Sequence, residues 1–324
     1  MPAPTPEIWI SLFPQPARVA GYAEMVERDR WDGLAVTDSQ NNNGDAFCAL
    51  TIAALATKRI KLTTAATNPY TRRPATVASA AATVHAVSGG RAVLGIGRGD
   101  SSVRTLGQEP VSLSYFRQAL VQIQTYLGGG SVNIDGTESR MPWVQNLGLP
   151  KLPMSVSATG PKVIEIGAQV AERVTFSLGA EMSRLRWAVD LARASREKAG
   201  LDPAGLSLGS YVVAVVEPDI AKARDIARSR MGIYAHHWTM HPNASATLDA
   251  ADRAKAETRT LDDDFVDRYG VVGSASYVVE RLQEILALGL DHLIVVGYGA
   301  SVPAEMLAEA SRRFGSDVIP SLKR

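Results

Sequence analysis

The chain has 324 residues, 46% of them hydrophobic, enough to bury a large core. Its 34 basic and 33 acidic side chains nearly cancel, and no basic arm or stripe favours nucleic acid as a partner. A single cysteine, Cys48, excludes an internal disulfide and a cysteine-based metal site, and no apolar run approaches the roughly 18 residues of a membrane span. The opening MPAPTPEIWI has neither the basic stretch nor the apolar run of a signal peptide, so a cytoplasmic protein is expected.

Short apolar runs recur along the chain, each followed by helical spacing. EIWISLF (7–13) predicts a strand and 16–30 a helix; GLAVT (33–37) and 45–57 repeat the pair. IKLTTAA (60–66) precedes a helix opened by Pro74, at the first-turn position that tolerates proline. RAVLGIG (91–97) leads to LSYFRQALVQIQTYL (113–127), LPMSVSA (152–158) to a helix from Pro161, and RVTFSLG (173–179) to a long helix over 181–199. LSLGSYVVAVVE (206–217) with a helix from Pro218, and DHLIVVGYG (291–299) with a helix from Pro303, complete the series. Eight strand–helix repeats predict an α/β fold, a (β/α)8 TIM barrel forming one domain over 1–324. The strands read as apolar on both faces, as in a buried parallel sheet. Two segments interrupt the rhythm: 128–151, rich in Gly and Pro, after strand four, and 232–272 after strand seven, read as a helical lid.

The stretch GRAVLGIGRGDSS (90–102) carries Gly95, Gly97 and Gly99. A dinucleotide fingerprint needs G-x-G-x-x-G at the first strand, opening directly into a helix. Here the spacing is G-x-G-x-G at the fourth strand, with the next helix some ten residues on. In a barrel these glycines sit at the C-terminal mouth, where active sites are built and a flat ligand can lie against bare backbone. Strand five ends in Ser157, Ala158, Thr159 and Gly160, and strand six in Ser177, Leu178, Gly179 and Ala180, each before a helix start that favours an anion. Thr159 and Lys162 add a hydroxyl and a cation; the alternative is that Gly160 and Pro161 are loop punctuation. His85 lies within a helix and reads as structural, and His292 falls at the stability end of the barrel. HHWTMH (236–241) reads as pocket lining rather than a metal site, because adjacent helical residues point about 100° apart; no metal is expected. Tyr70, Arg72, Arg73, Arg98, Trp143, His236, His237 and Trp238 are candidate pocket walls, with Arg72 and Arg73 either meeting an anion or simply exposed. A mouth so poor in acid–base groups suits a cofactor that brings its own reactivity.

TNPYTRRPATVASAAATVHAVSGGRAVLGIGRGDSS (67–102), with VTDSQNNN (36–43) and SATGPKVIEIGAQVAERVTF (157–176) in the same order, resembles the bacterial luciferase-like flavin- and deazaflavin-dependent oxidoreductases. Within them it is most similar to methylenetetrahydromethanopterin reductase-like members. The resemblance implies FMN or coenzyme F420 at the barrel mouth and a non-proline cis peptide at Ala65–Ala66 behind the ring. It places Asp38, Ala66, Thr67, Asn68, Gly97 and Gly99 around the ring, with Arg98 and Asp100 alongside. It puts Thr159, Gly160, Gly179 and Ala180 at the phosphate, and points to Asp38, Ser39 and Asn68 as the catalytic candidates. Many deazaflavin-dependent relatives carry Asp-His where this chain has Asp38-Ser39, and serine cannot replace histidine as a general acid near neutral pH. The leading expectation is therefore an FMNH2-dependent monooxygenase fed by a separate flavin reductase. F420-dependent hydride transfer is the alternative, and a non-enzymatic flavin-binding protein the third reading. A homodimer through helices beside strands two to four is expected, with the alanine-rich face of 75–87 as the candidate surface.

Overall fold

The computed structural model describes residues 5–231, 261–298 and 302–323. Barrel strands β1 (Glu7–Leu12), β2 (Gly33–Val36), β3 (Lys61–Thr64), β4 (Ala92–Ile96), β7 (Met154–Ala158), β8 (Arg173–Phe176), β9 (Ser207–Val216) and β11 (His292–Tyr298) pair in parallel. The β8–β9 ladder and the β1–β11 ladder close the cylinder. Helices α1 (Val19–Arg28), α2 (Ala46–Ala56), α3 (Pro74–Val87), α5 (Leu113–Leu127), α6 (Pro161–Val170), α7 (Met182–Lys198), α8 (Ile220–Met231), α10 (Ala275–Leu286) and α11 (Ala304–Asp317) follow the strands, and α12 (Ile319–Leu322) ends the chain's described part. The predicted (β/α)8 TIM barrel is the observed architecture. Among the described residues no helix is long and apolar enough to cross a membrane.

Helix starts follow local chemistry. Asp45 caps α2 through the Phe47 and Cys48 amides, Ser112 caps α5 through Tyr115, and Ser274 caps α10 through Tyr277. Pro74 and Pro161 occupy first-turn positions of α3 and α6, where a missing N–H costs nothing. A single extra turn, α4 (Ser101–Arg104), lies between β4 and α5, ahead of the helix that the sequence pattern marks.

Three sequence expectations change. The strands are not apolar on both faces. Ile8, Ile10, Leu34, Val36, Leu94, Ile96, Val156 and Val174 pack outward against the helices, while the alternate residues facing inward include Ser155, Ser157, Arg173 and Thr175. Segment 128–151 contains a hairpin, β5 (Ser131–Ile134) and β6 (Thr137–Arg140), turned by Asp135 and Gly136 at φ 50° and 85°. That is the two-residue Asp-Gly turn whose positive φ values match the right-handed twist of the flanking strands. The end of segment 232–272 is a helix, α9 (Asp263–Tyr269), running straight into a strand, β10 (Gly270–Gly273), which pairs with the upper half of β9. The remainder of that segment, with the HHWTMH stretch, lies outside the described residues.

The barrel interior is filled by a few large side chains, each given room by a glycine. A Cβ on Gly33 would fall 2.1 Å from the Trp9 ring, and one on Gly209 would fall 2.3 Å from the His292 ring. At the lower end Glu7 binds Lys61 and Arg173, with Arg173 also lying 5.8 Å from the Trp9 ring. Burial works against the Glu7 charge, but these two cations prevail and hold its carboxyl down at about 2. His292 is fully buried and bonds the Thr175 hydroxyl at 2.9 Å. Burial, with Arg173 and Lys61 nearby, pushes its pKa well below the ordinary value of 6.5. The folded state therefore refuses a proton that the unfolded state accepts. The stability this secures is complete above about pH 6.5 and declines by up to about 1.4 kcal/mol per pH unit as the pH falls below it. Urea denaturation between pH 7.5 and 5 is expected to show this slope in the wild type and a shallower one in His292→Gln. The Glu7 contribution is lost only below about pH 4.5, in a separate window.

Candidate active site at the barrel mouth

The three glycines of the fourth strand do three different things. At Gly95 an added Cβ would lie 1.8 Å from the Thr64 carbonyl oxygen, so this glycine lets β4 and β3 approach each other. Gly99 has φ +83°, and its Cβ would strike Val103 at 2.5 Å; it makes the turn into α4. Only Gly97 is open: a Cβ there would meet Ser157 and Ala66 at 3.8–3.9 Å, ordinary contact distances. Gly97, Ala66 and Ser157, from three neighbouring strands, thus form a bare patch at the mouth. The Ala65–Ala66 peptide is cis, as the resemblance implied. Thr67 is knitted to β4, its N–H donating to the Gly95 carbonyl and its own carbonyl accepting from the Gly97 N–H.

Asp38 lies beside this patch, 4% exposed, paired with the Arg72 guanidinium. Arg72 also binds Asp45, the cap of α2, and sits 5.2 Å from the Phe47 ring. Burial, helped by the nearby Asp45 charge, raises the Asp38 pKa above the usual carboxylate range; the Thr67 hydroxyl and Arg72 oppose the rise without cancelling it. The Thr67 hydroxyl is buried close to this carboxylate but makes no hydrogen bond of normal geometry. Ser39 is buried beside Asp38, and its hydroxyl accepts from the Asn42 amide at 2.8 Å.

Other candidate residues serve the rim rather than a ligand through their side chains. The Asn68 side-chain oxygen Oδ1 accepts from Tyr70 N–H, Thr71 N–H and the Thr71 hydroxyl, and its side-chain amide donates to the Ser102 hydroxyl at 3.1 Å. Gln40 reaches the Ser102 carbonyl at 2.8 Å, so the loops after β2, β3 and β4 are stitched together. Arg98 commits its guanidinium to the Val111 carbonyl, and Asp100 binds Arg104 across the first turn of α4. Trp143 lies, 38% exposed, on the 3-10 turn Pro142–Leu147, and His85 ties α3 to the Pro150 carbonyl.

On the opposite rim, Gly160 caps α6 and Thr159 is half-buried before it. Gly179 adopts φ +69° ahead of α7. The Ala180 N–H, an expected phosphate donor, is instead taken by the Tyr269 carbonyl at 2.9 Å. Lys162 is exposed and paired with Glu165. Among the described residues no three metal-ligating side chains converge.

Two residues escaped the sequence reading. Tyr211 of β9 bonds the Ser157 hydroxyl at 2.8 Å beneath the patch, and burial pushes its pKa up to about 12. Arg184, in the first turn of α7, is 1% exposed. An arginine among the alternating charges of SRLRWAVDLARASREK gives no sign of being the buried one.

A profile of the luciferase-like monooxygenases matches residues 3–292. The chain belongs to this luciferase-like family. It is accordingly an oxidoreductase. Its similarity to a 5,10-methylenetetrahydromethanopterin reductase of Methanolobus tindarius is 28% identity over 296 residues, covering 86% of this chain and 89% of the relative. A coenzyme F420-dependent tetrahydromethanopterin reductase from Methanopyrus kandleri superposes with a TM-score of 0.77 at 22% identity, covering 98% and 99% of the two chains. A type II Baeyer–Villiger monooxygenase of Pseudomonas putida, solved with FMN, is more distant, with a TM-score of 0.70 at 16% identity over 98% of each chain.

The glycine assignments separate in experiment. Gly97→Val in this luciferase-like protein is expected to leave the melting temperature near that of the wild type while abolishing deazaflavin and flavin binding in a fluorescence titration. Gly95→Ala is expected to cost about 1–3 kcal/mol in urea denaturation, because backbone cannot yield to the new methyl group.

Proposed function

We propose that this protein transfers hydride to or from coenzyme F420, as a reductase or dehydrogenase, rather than activating oxygen on FMN. The observation that carries this reading is near full-length similarity to methylenetetrahydromethanopterin reductases, with an F420-dependent reductase superposing better than the FMN-bound monooxygenase. The lead given by the Asp38-Ser39 pair therefore yields to the alternative. The mouth itself fits a planar ring. Gly97, Ala66 and Ser157 leave a patch bare of large side chains, and the Thr67 hydroxyl, buried close to Asp38, lies at its edge. When bound, the deazaflavin would supply or accept a hydride at its central ring. The protein's part is to hold the ring against the cis Ala65–Ala66 segment and to manage a proton next to it.

Asp38 is the group suited to the proton. Ser39 is engaged by Asn42, so the acid role that the resemblance would give a histidine there falls one residue back, onto a carboxyl whose pKa burial raises. The Arg72 pair limits how far that pKa climbs. A carboxyl acting as an acid is competent below its pKa and fails as the pH rises through it. Asp38→Asn is expected to lower kcat with F420 by about 10²- to 10⁴-fold, the range for losing one proton-transfer group. Arg72→Gln should move the alkaline fall of kcat to higher pH, because the opposing charge is gone. In titrations, F420 is expected to bind the purified protein far more tightly than FMN or FMNH2; the reverse order, with oxygen consumption on adding FMNH2, would return the case to a monooxygenase.

The expected homodimer draws support from α2 rather than from the alanine-rich face of α3. Ala78, Ala81 and Ala82 of α3 are buried against the barrel, whereas α2 leaves Ile52 at 38% and Leu55 at 73% exposed. Sedimentation should give a dimer for the wild type and a monomer for Leu55→Glu.

A further inference from the structure

Arg184 is a buried cation with no carboxylate to hold among the described residues. Its Nε, Nη1 and Nη2 are all inaccessible, and none has a hydrogen-bond partner among the described residues. A guanidinium offers five N–H donors, and a buried charge left unpaired is among the costliest features a fold can carry. The Tyr269 side chain favours the guanidinium charge, but no hydrogen bond of normal geometry and no carboxylate among the described residues reaches it. Glu181 caps α7, but its carboxylate accepts from the Arg184 backbone N–H and the Ser183 hydroxyl, not from the guanidinium. The Tyr269 ring lies 6.0 Å from the Arg184 Cζ and 5.7 Å from that of Arg268, so two guanidinium groups flank one ring. Burial, with the Arg268 charge adding to it, lowers the Arg184 pKa, while Tyr269 and Glu181 act against the fall. The site is electropositive on a second account: it stands at the N-terminus of the 17-residue helix α7, directly after the mouth residues Gly179 and Ala180.

We propose that Arg184 anchors an oxyanion subsite at the rim above β8, taking a phosphate or carboxylate in a two-pronged hydrogen bond. Guanidinium geometry matches such groups, and a charge-assisted pair would satisfy the donors that the protein leaves open. Two sources share this chemistry: the phosphate in the cofactor's tail, or an anionic group on the substrate. Only the choice between them rests on the F420 reading.

Inorganic phosphate is the first probe, because it needs no assumption about the cofactor. Phosphate is expected to raise the melting temperature of the wild type above a chloride control of equal ionic strength. Arg184→Met should lose this protection, and Arg184→Lys, which keeps the charge without the fork, should lose most of it. Without phosphate, Arg184→Met should melt no lower than the wild type, since methionine keeps an apolar stem against Tyr269 and the charge it removes has no carboxylate partner among the described residues. Protection that is equal in all three proteins, or absent from the wild type, overturns the proposal. So does a large fall in the unliganded melting temperature of both variants, which would show that the protein itself holds the guanidinium.

Fluorescence titration with F420 and with its phosphate-free ring–ribityl fragment identifies the source. If Arg184→Met binds F420 about 10- to 100-fold more weakly but the fragment unchanged, the subsite takes the cofactor tail. If both affinities are unchanged while phosphate protection is lost, the subsite takes the substrate. A wild-type protein that phosphate protects but that binds neither deazaflavin keeps the subsite and refutes the F420 reading alone.

Discussion

Everything at the mouth depends on how a narrow parallel cylinder shares its inside. Eight strands leave space for only a few large inward side chains, and Trp9, Tyr211 and His292 take much of it because Gly33 and Gly209 stand opposite without side chains. Gly95 does the same for backbone, letting the Thr64 carbonyl approach β4. With the interior settled in this way, the next inward positions up the strands, Gly97 and Ser157, are fixed in depth, and with them the surface on which a planar group can rest.

The electrostatics of the mouth are divided between its two sides. On the side of β2 and β3, a carboxyl and a guanidinium are paired, and burial raises the acid's pKa against that pairing. On the side of β8, a guanidinium is buried without any such pairing among the described residues. The first arrangement suits fine control of one proton; the second suits capture of a negative group brought from outside. A ligand with an uncharged ring at one end and an anionic tail at the other would be oriented by this contrast alone.

The barrel was legible because its repeats are local: apolar runs set the strands, and Asp45, Ser112, Pro74 and Pro161 announce helix starts with chemistry that operates within a few residues. The Asp135–Gly136 turn is equally local, an Asp-Gly hairpin signal inside the Gly- and Pro-rich segment 128–151. The inward polarity of β7 and β8 was also written in the alternation of MSVSA and RVTF, but it was masked by the expectation that buried parallel strands are apolar throughout. The mouth was only half readable. Gly95, Gly97 and Gly99 look alike in sequence, and what each does depends on which strand or helix comes near it. The burial of Arg184 and the capture of the Ala180 amide depend on Tyr269, almost ninety positions away, and nothing in either local stretch announces that meeting.

The bond between the Ala180 amide and the Tyr269 carbonyl has a consequence for recombining such proteins. It fastens the junction of α9 and β10 to the turn that launches α7, and β10 in turn extends the upper half of β9. The stretch between α8 and β10 is therefore not a free cassette. A chimera that imports it from a homologue must cut upstream of α9 and retain the native Tyr269 junction, or else replace the β8–α7 turn at the same time.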